Sequence, residues 1–256
     1  MKVIFPKIPI GWFAIHAVDH CNQRCKFCNN HAPFKNPREY QAEEYTPHID
    51  KMVERNYQFA EIRVSGGEPF LHSDIVGFVK TIKERYQKRM AIATNLFWLK
   101  KPEDIDRYGE LFRLIDTFYP SYYPHNQEQL KIISAAIVKL EETYGVGIAI
   151  RQKHLFSKKE FRTEPKIPTS FCLDNGDCTN LLVDGRLARC AVGAYCDDNP
   201  NVTQEFLDSR TDFFFDLYKD KDILSWLQHW PHQACHYCSL WETKPVKWKN
   251  QSEALS

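Results

Sequence analysis

Neither sign of charge dominates this sequence: 34 lysines and arginines face 33 aspartates and glutamates, for a formal net charge of +1. That balance excludes the broad basic face of a nucleic-acid-binding protein, and 43% hydrophobic residues exclude intrinsic disorder. A long apolar run is missing too. The most apolar stretch, Val3 to Val18, is broken by Pro6, Lys7, Pro9 and His16, and mean hydropathy is −0.51, so no segment reads as a membrane span. The same breaks, without a small-residue cleavage site, argue against a signal peptide. There is no internal repeat and no low-complexity segment. At 256 residues the chain can bury a core without staples, which excludes a small disulfide scaffold.

What the chain does have is cysteine. Nine are clumped at positions 21, 25 and 28, then 172, 178, 190 and 196, then 235 and 238. A chain without an export signal is expected in the cytoplasm, where clustered cysteines bind metal or do redox work more often than they form bridges. The metal reading therefore leads.

The first half alternates short apolar runs with helical patterns. Strands are predicted at Phe13–Val18, Ala60–Ser65, Met90–Thr94, Leu114–Tyr119 and Gly147–Ile150, the last closed by polar Arg151 and Gln152. Between them lie helical stretches from about Pro47 to Arg55, Ser73 to Arg85, Glu103 to Phe112 and Gln127 to Tyr144. In the second of these, Ile75, Phe78, Val79 and Ile82 fall on one helix face and Ser73 is the expected N-cap. Five strand–helix units imply an α/β fold with a parallel sheet, either doubly wound or a barrel or part-barrel, with chemistry where strands end. After Arg151 the pattern changes to a hairpin across Leu181–Arg189 with its turn at Asp184-Gly185, then a short helix from Ile223 to Trp230. The expected division is residues 1–160 as the main domain, 161–245 as a cysteine-bearing appendage and 246–256 as a surface tail.

Two motifs sit at predicted strand ends. Cys21-Asn-Gln-Arg-Cys25-Lys-Phe-Cys28 offers three thiolates on one loop, enough to hold three irons of a cubane cluster and leave one open. A zinc site completed by His20 or His31 is the competing reading. Gly66-Gly67-Glu68-Pro69 follows the second strand, with glycines that let backbone approach a ligand and a carboxylate at the strand's end. Together, CxxxCxxC and GGEP across roughly residues 13–151 resemble the radical S-adenosylmethionine (radical SAM) superfamily. The resemblance implies a partial (β/α)6 TIM barrel. It also implies a [4Fe-4S] cluster on Cys21, Cys25 and Cys28, whose open iron is chelated by S-adenosylmethionine. By the same resemblance Phe27 contacts adenine, and Gly66, Gly67 and Glu68 hold the methionyl amino group. Thr94 and Asn95 match the TN pair of the third strand, although Leu96 stands where glycine is usual, and Ser121 is a candidate for the ribose or carboxylate.

At the C-terminal end, Cys172, Gly185, Cys190 and Cys235-His-Tyr-Cys238 resemble the Twitch appendage, the shorter relative of the SPASM domain. That implies a second, fully ligated auxiliary [4Fe-4S] cluster on Cys172, Cys190, Cys235 and Cys238; a zinc ribbon-like site is the alternative. Cys178 and Cys196 are left over as buried structural thiols, substitute ligands or redox thiols. A closed auxiliary cluster suits electron transfer, so the expected reaction is an oxidation. The substrate is then a sugar or aminocyclitol, or else a peptide or protein side chain; a first strand beginning near residue 13 favours the small molecule. Activases of glycyl-radical enzymes and molybdopterin-precursor cyclases place their extra cysteines differently. A non-catalytic zinc or iron–sulfur protein would leave GGEP unexplained. Tyr122, Arg151 and His154 are candidates for the substrate pocket, and Tyr119 and Tyr123 for its aromatic lining. A flavodoxin- or ferredoxin-type reductant, a monomeric state and no nucleic-acid or membrane partner complete the expectations.

Overall fold

Strand β1 (Ile8–Val18) is buried on both faces: Phe13, Ile15 and Ala17 join the main core while Ala14 and His16 are buried opposite them. A strand covered on both sides belongs inside a parallel sheet. The computed structural model describes residues 8–123, 130–152, 155–170, 172, 179–242 and 245–247. In it β1 is followed by α1 (Ala42–Glu54), β2 (Tyr57–Gly66), α2 (Ile75–Tyr86), β3 (Arg89–Thr94), α3 (Gly109–Leu114), β4 (Thr117–Tyr122), α4 (Leu130–Tyr144) and β5 (Gly147–Ile148). Neighbouring strands from β1 to β5 pair in parallel, and α2 buries Ile75, Phe78, Val79 and Ile82 on the face that their spacing predicts. The result is an α/β fold with a mostly parallel sheet, as expected of a part-barrel.

Several boundaries differ from the sequence expectation, each for a local reason. Helix α1 starts at Ala42 and runs through Pro47; its end is closed by Glu44, which accepts from the Gln41 backbone N–H at 2.8 Å. Asp74, not Ser73, caps α2 by accepting from Gly77 N, while Ser73 donates to Glu39. The expected helix from Glu103 is a 3₁₀ turn (Pro102–Tyr108) followed by α3. Leu114 completes α3 and Ile115 N still bonds Leu111 O, so β4 begins three residues later than apolarity suggests. The fifth strand stops at Ile148, Ile150 is exposed, and Arg151–Gln152 forms its own strand, β6, beside Ser121–Tyr122.

Three further strands continue the same sheet, whereas Leu155–Ser157 and Pro245–Lys247 form a separate two-stranded one. After β7 (Leu155–Ser157), strand β8 (Thr179–Leu181) pairs in parallel with β1 on the side away from β2. Strands β9 (Arg186–Ala188) and β10 (Phe214–Asp216) then extend the sheet antiparallel, giving the order β10-β9-β8-β1-β2-β3-β4-β5. The β8–β9 hairpin turns at Gly185, whose φ of 81° is one that glycine adopts without strain. A second core of Ala194, Tyr195, Cys196, Phe206, Phe213 and Cys238 packs beyond the hairpin. The expected surface tail begins otherwise: Pro245–Lys247 is strand β11, paired antiparallel with β7. Among the described residues no helix is long and apolar enough to cross a membrane.

Candidate active site

Parallel pairing aligns the carboxyl ends of β1, β2, β3 and β4, so loops distant in sequence meet at one edge. There Cys21, Cys25 and Cys28 line a cavity of about 340 Å³ together with Gly66, Gly67, Glu68, Thr94, Asn95 and Ser121. The two glycines have a reason that the sequence does not show. Gly67 N donates to Val18 O at 2.8 Å and Glu68 N to His20 O at 3.0 Å, which locks this loop onto the one that carries the cysteines. A Cβ on Gly67 would overlap the His20 carbonyl, and one on Gly66, at φ 120°, would overlap that of Val18. Their smallness serves this backbone contact, and Gly66 O accepts from Asn30 Nδ2 at 2.5 Å.

Glu68 is 2% exposed and accepts from Thr94 Oγ1 at 2.6 Å, Asn95 N at 2.7 Å and Phe70 N at 3.3 Å. All three partners are neutral. Burial pushes its carboxyl up to about 7, although these bonds pull the other way. Burial likewise pushes the Cys21 thiol up to about 12, with Glu68, Cys28 and Cys25 adding repulsion. Three thiols, Cys25 buried and Cys21 and Cys28 partly so, beside a buried acid are a poor place for negative charge alone. They suit cations: an iron cluster to take the thiolates and an amino group to meet Glu68. By this test the donor set fits both groups. Asn95 Nδ2 also points at Cys21 Sγ, at 3.6 Å, and at Asn22 Oδ1, at 2.8 Å.

Leu96, the departure from the usual glycine, has φ 62° and is 2% exposed within the main core. The backbone keeps a left-handed turn that glycine would enter freely, and a buried leucine offsets the strain. Other expected residues divide between faces. Ser121, Tyr119, Tyr123 and Arg151 line the cavity, whereas Tyr122 alternates to the opposite side of β4 and packs against the main core. Phe27 lies in an adjoining cavity that shares Cys28, with Lys26, His31 and Phe161, and its carbonyl accepts from Lys159 Nζ. His154 and Cys178 lie outside the described residues.

Sequence reasoning missed the far end of the cavity, formed by Trp12, Ala14, Arg63 and Asn180. The Arg63 guanidinium lies 3.5 Å from the Trp12 ring centroid and 5.0 Å from that of Tyr119, and Nε pairs with Glu61 at 2.5 Å. Arg151 meets Tyr119 at 4.5 Å. The available signal is a charged pair, Glu61 and Arg63, alternating with apolar Ala60, Ile62 and Val64 along one strand.

The C-terminal cysteines also converge. Cys172, Cys190, Cys235 and Cys238 line one cleft, walled by Val192, Phe206, Phe213 and Trp241. Burial pushes the thiols of Cys235 and Cys238 up to about 12, with Cys172 adding repulsion to both. Leftover Cys196 is fully buried in the second core, its Sγ 3.7 Å from Gly193 O.

Fold and site together define an α/β scaffold with a thiol-lined cavity at the carboxyl edge of its parallel strands. The profile of the Radical SAM superfamily matches residues 15–145, and this chain belongs to that superfamily. Membership implies a [4Fe-4S] cluster and S-adenosylmethionine. The chain is similar to the GTP 3′,8-cyclase of Nautilia profundicola, at 26% identity over 156 residues, covering 56% of this chain and 46% of that enzyme. It is 34% identical over 122 residues to the GTP 3′,8-cyclase of Limosilactobacillus fermentum, covering 43% and 34% of the two chains. It thus spans less than half the length of these relatives. The solved structure of BtrN in complex with AdoMet and 2-DOIA shares the fold at TM-score 0.51 and 14% identity, over 94% of this chain and 89% of BtrN.

Proposed function

We propose that this chain is a radical SAM oxidoreductase that abstracts a hydrogen atom from a small, polar molecule of the sugar or aminocyclitol class. In this reading Cys172, Cys190, Cys235 and Cys238 hold an auxiliary [4Fe-4S] cluster in a Twitch-type segment. The observation that carries it is the separation of seven cysteines into two sets: three facing a polar cavity and four lining one apolar cleft. Cys21, Cys25 and Cys28 would hold a cluster that supplies the electron for reductive cleavage of S-adenosylmethionine, and Cys172, Cys190, Cys235 and Cys238 one that accepts the electron remaining after an alcohol has given up a hydrogen atom and, to a base, its hydroxyl proton.

The chain's own residues do the rest. Glu68, held by Thr94 and Asn95, receives the methionyl amino group, and Ser121, which lines the same cavity, is the candidate for the ribose or carboxylate. Arg63 and Arg151 supply donors at the far end, beside the face of Tyr119, for a substrate rich in oxygen.

Anaerobic reconstitution tests this reading. About eight irons per chain and production of 5′-deoxyadenosine are expected. Cys28→Ala abolishes cleavage, whereas Cys235→Ala keeps cleavage, holds about four irons and loses turnover. Stoichiometric zinc without cleavage sinks the proposal, and equal loss of 5′-deoxyadenosine in both folded variants sinks the division of roles.

A further inference from the structure

Beside the C-terminal cysteine cleft, Asp212, His229 and His232 form a cluster that the proposed reaction does not use. Asp212 ends the 3₁₀ turn before β10, His229 follows the short helix Ile223–Gln228, and His232 precedes the turn Gln233–Tyr237 that carries Cys235. One ligand atom from each lies within 4.8 Å of the others. His229 Nε2 is 2.9 Å and His232 Nδ1 3.7 Å from Asp212 Oδ2.

The second observation is His232 itself. It is 0% exposed, and among the described residues neither ring nitrogen makes a hydrogen bond of good geometry, Asp212 lying at the limit of its reach. The rings nearest to it belong to Phe213, Trp226 and His229, with centroids 5.6, 6.4 and 5.1 Å away. Burying an imidazole whose nitrogens are poorly satisfied is unfavourable, and this one faces a carboxylate and a second imidazole. The carboxylate is already oriented, since both of its oxygens accept from Gln233 N at 3.1 Å. Ligand atoms about 2.1 Å from a shared ion stand roughly 3–3.5 Å apart. The distances of 2.9 and 3.7 Å bracket that spacing.

We propose that Asp212, His229 and His232 bind one divalent transition-metal ion of the zinc class, with water completing the coordination on the exposed side of His229. Two imidazoles and one carboxylate are a ligand set that such ions accept. The ion clamps the start of β10 to the segment that leads into Cys235 and Cys238, and so braces the cleft. The site stands whether or not the radical reading holds.

The test uses iron-loaded protein, treated anaerobically with EDTA and equilibrated with micromolar Zn²⁺, with zinc and iron measured by elemental analysis. Wild type takes up about one zinc per chain and its Tm rises. His229→Ala, a change at an exposed side chain, and Asp212→Asn weaken uptake by roughly tenfold or more with iron unchanged, and zinc no longer raises their Tm. No uptake by wild type overturns the proposal, as does equally tight uptake by His229→Ala. Zinc gained only as iron is lost places the metal on thiols and overturns it too.

Discussion

Glu68→Gln in the cluster-free chain turns the electrostatics of the cavity floor into a measurable pH dependence. Unfolded, the glutamate titrates near 4.5; folded, burial raises it to about 7. Below the lower value the carboxyl is neutral in both states and carries no penalty. Between the two, the unfolded chain ionises and the folded one does not, so stability falls by about 1.4 kcal/mol per pH unit. Above the folded value the loss is complete, at about 3 kcal/mol. The direction is the reverse of that for a salt-bridged carboxylate. Glutamine removes the titration but turns an amide donor toward a donor, either the Asn95 N–H or those of Thr94 and Phe70, a pH-independent penalty of about 1–3 kcal/mol. The offset between the proteins mixes both effects, and the slope isolates one. Urea denaturation of both proteins under reducing conditions from about pH 5 to 8 is therefore expected to show the variant gaining about 2–3 kcal/mol relative to wild type. A difference that stays constant across that range refutes the buried-carboxylate reasoning.

If Glu68 receives the amino group of S-adenosylmethionine, binding near pH 6.5 releases protons from the enzyme. Calorimetric titration in buffers of different ionisation enthalpy detects this, and an absence of release removes Glu68 as the partner. At Leu96, glycine loses the buried side chain but regains the left-handed backbone, whereas alanine loses the side chain and keeps the strain. Leu96→Gly is thus expected to be less destabilised than Leu96→Ala by about 1 kcal/mol, the reverse of the usual order, as read from urea midpoints. Gly67→Ala forces backbone against the His20 carbonyl, so iron incorporation at the three-cysteine site is lost; a variant with full iron content would show that the loop yields.

The cysteine spacing was readable because ligands on one short loop are neighbours whatever the fold does. The same holds for GGEP and the α2 face, where local periodicity and local backbone needs coincide. Strand β4 is not legible at its start, since Leu114 and Ile115 are as apolar as a strand requires and only the end of α3 claims them. That shift, with the alternation of side chains along the strand, decides that Tyr119 and Ser121 face the cavity while Tyr122 faces the core.

By itself, then, the sequence determined the chemistry on offer: three thiols on one loop, a carboxylate after paired glycines, four more thiols later, and an alternating α/β order. Tertiary structure alone decided who meets whom. Parallel pairing brought Glu68 to Thr94 and Asn95, the pairing of β8 with β1 put Asn180 into the same cavity, and turn packing gathered Asp212, His229 and His232, which share no motif. The reason is physical: spacing constrains neighbours along the chain, whereas burial, register and charge balance arise only when distant segments exclude water together.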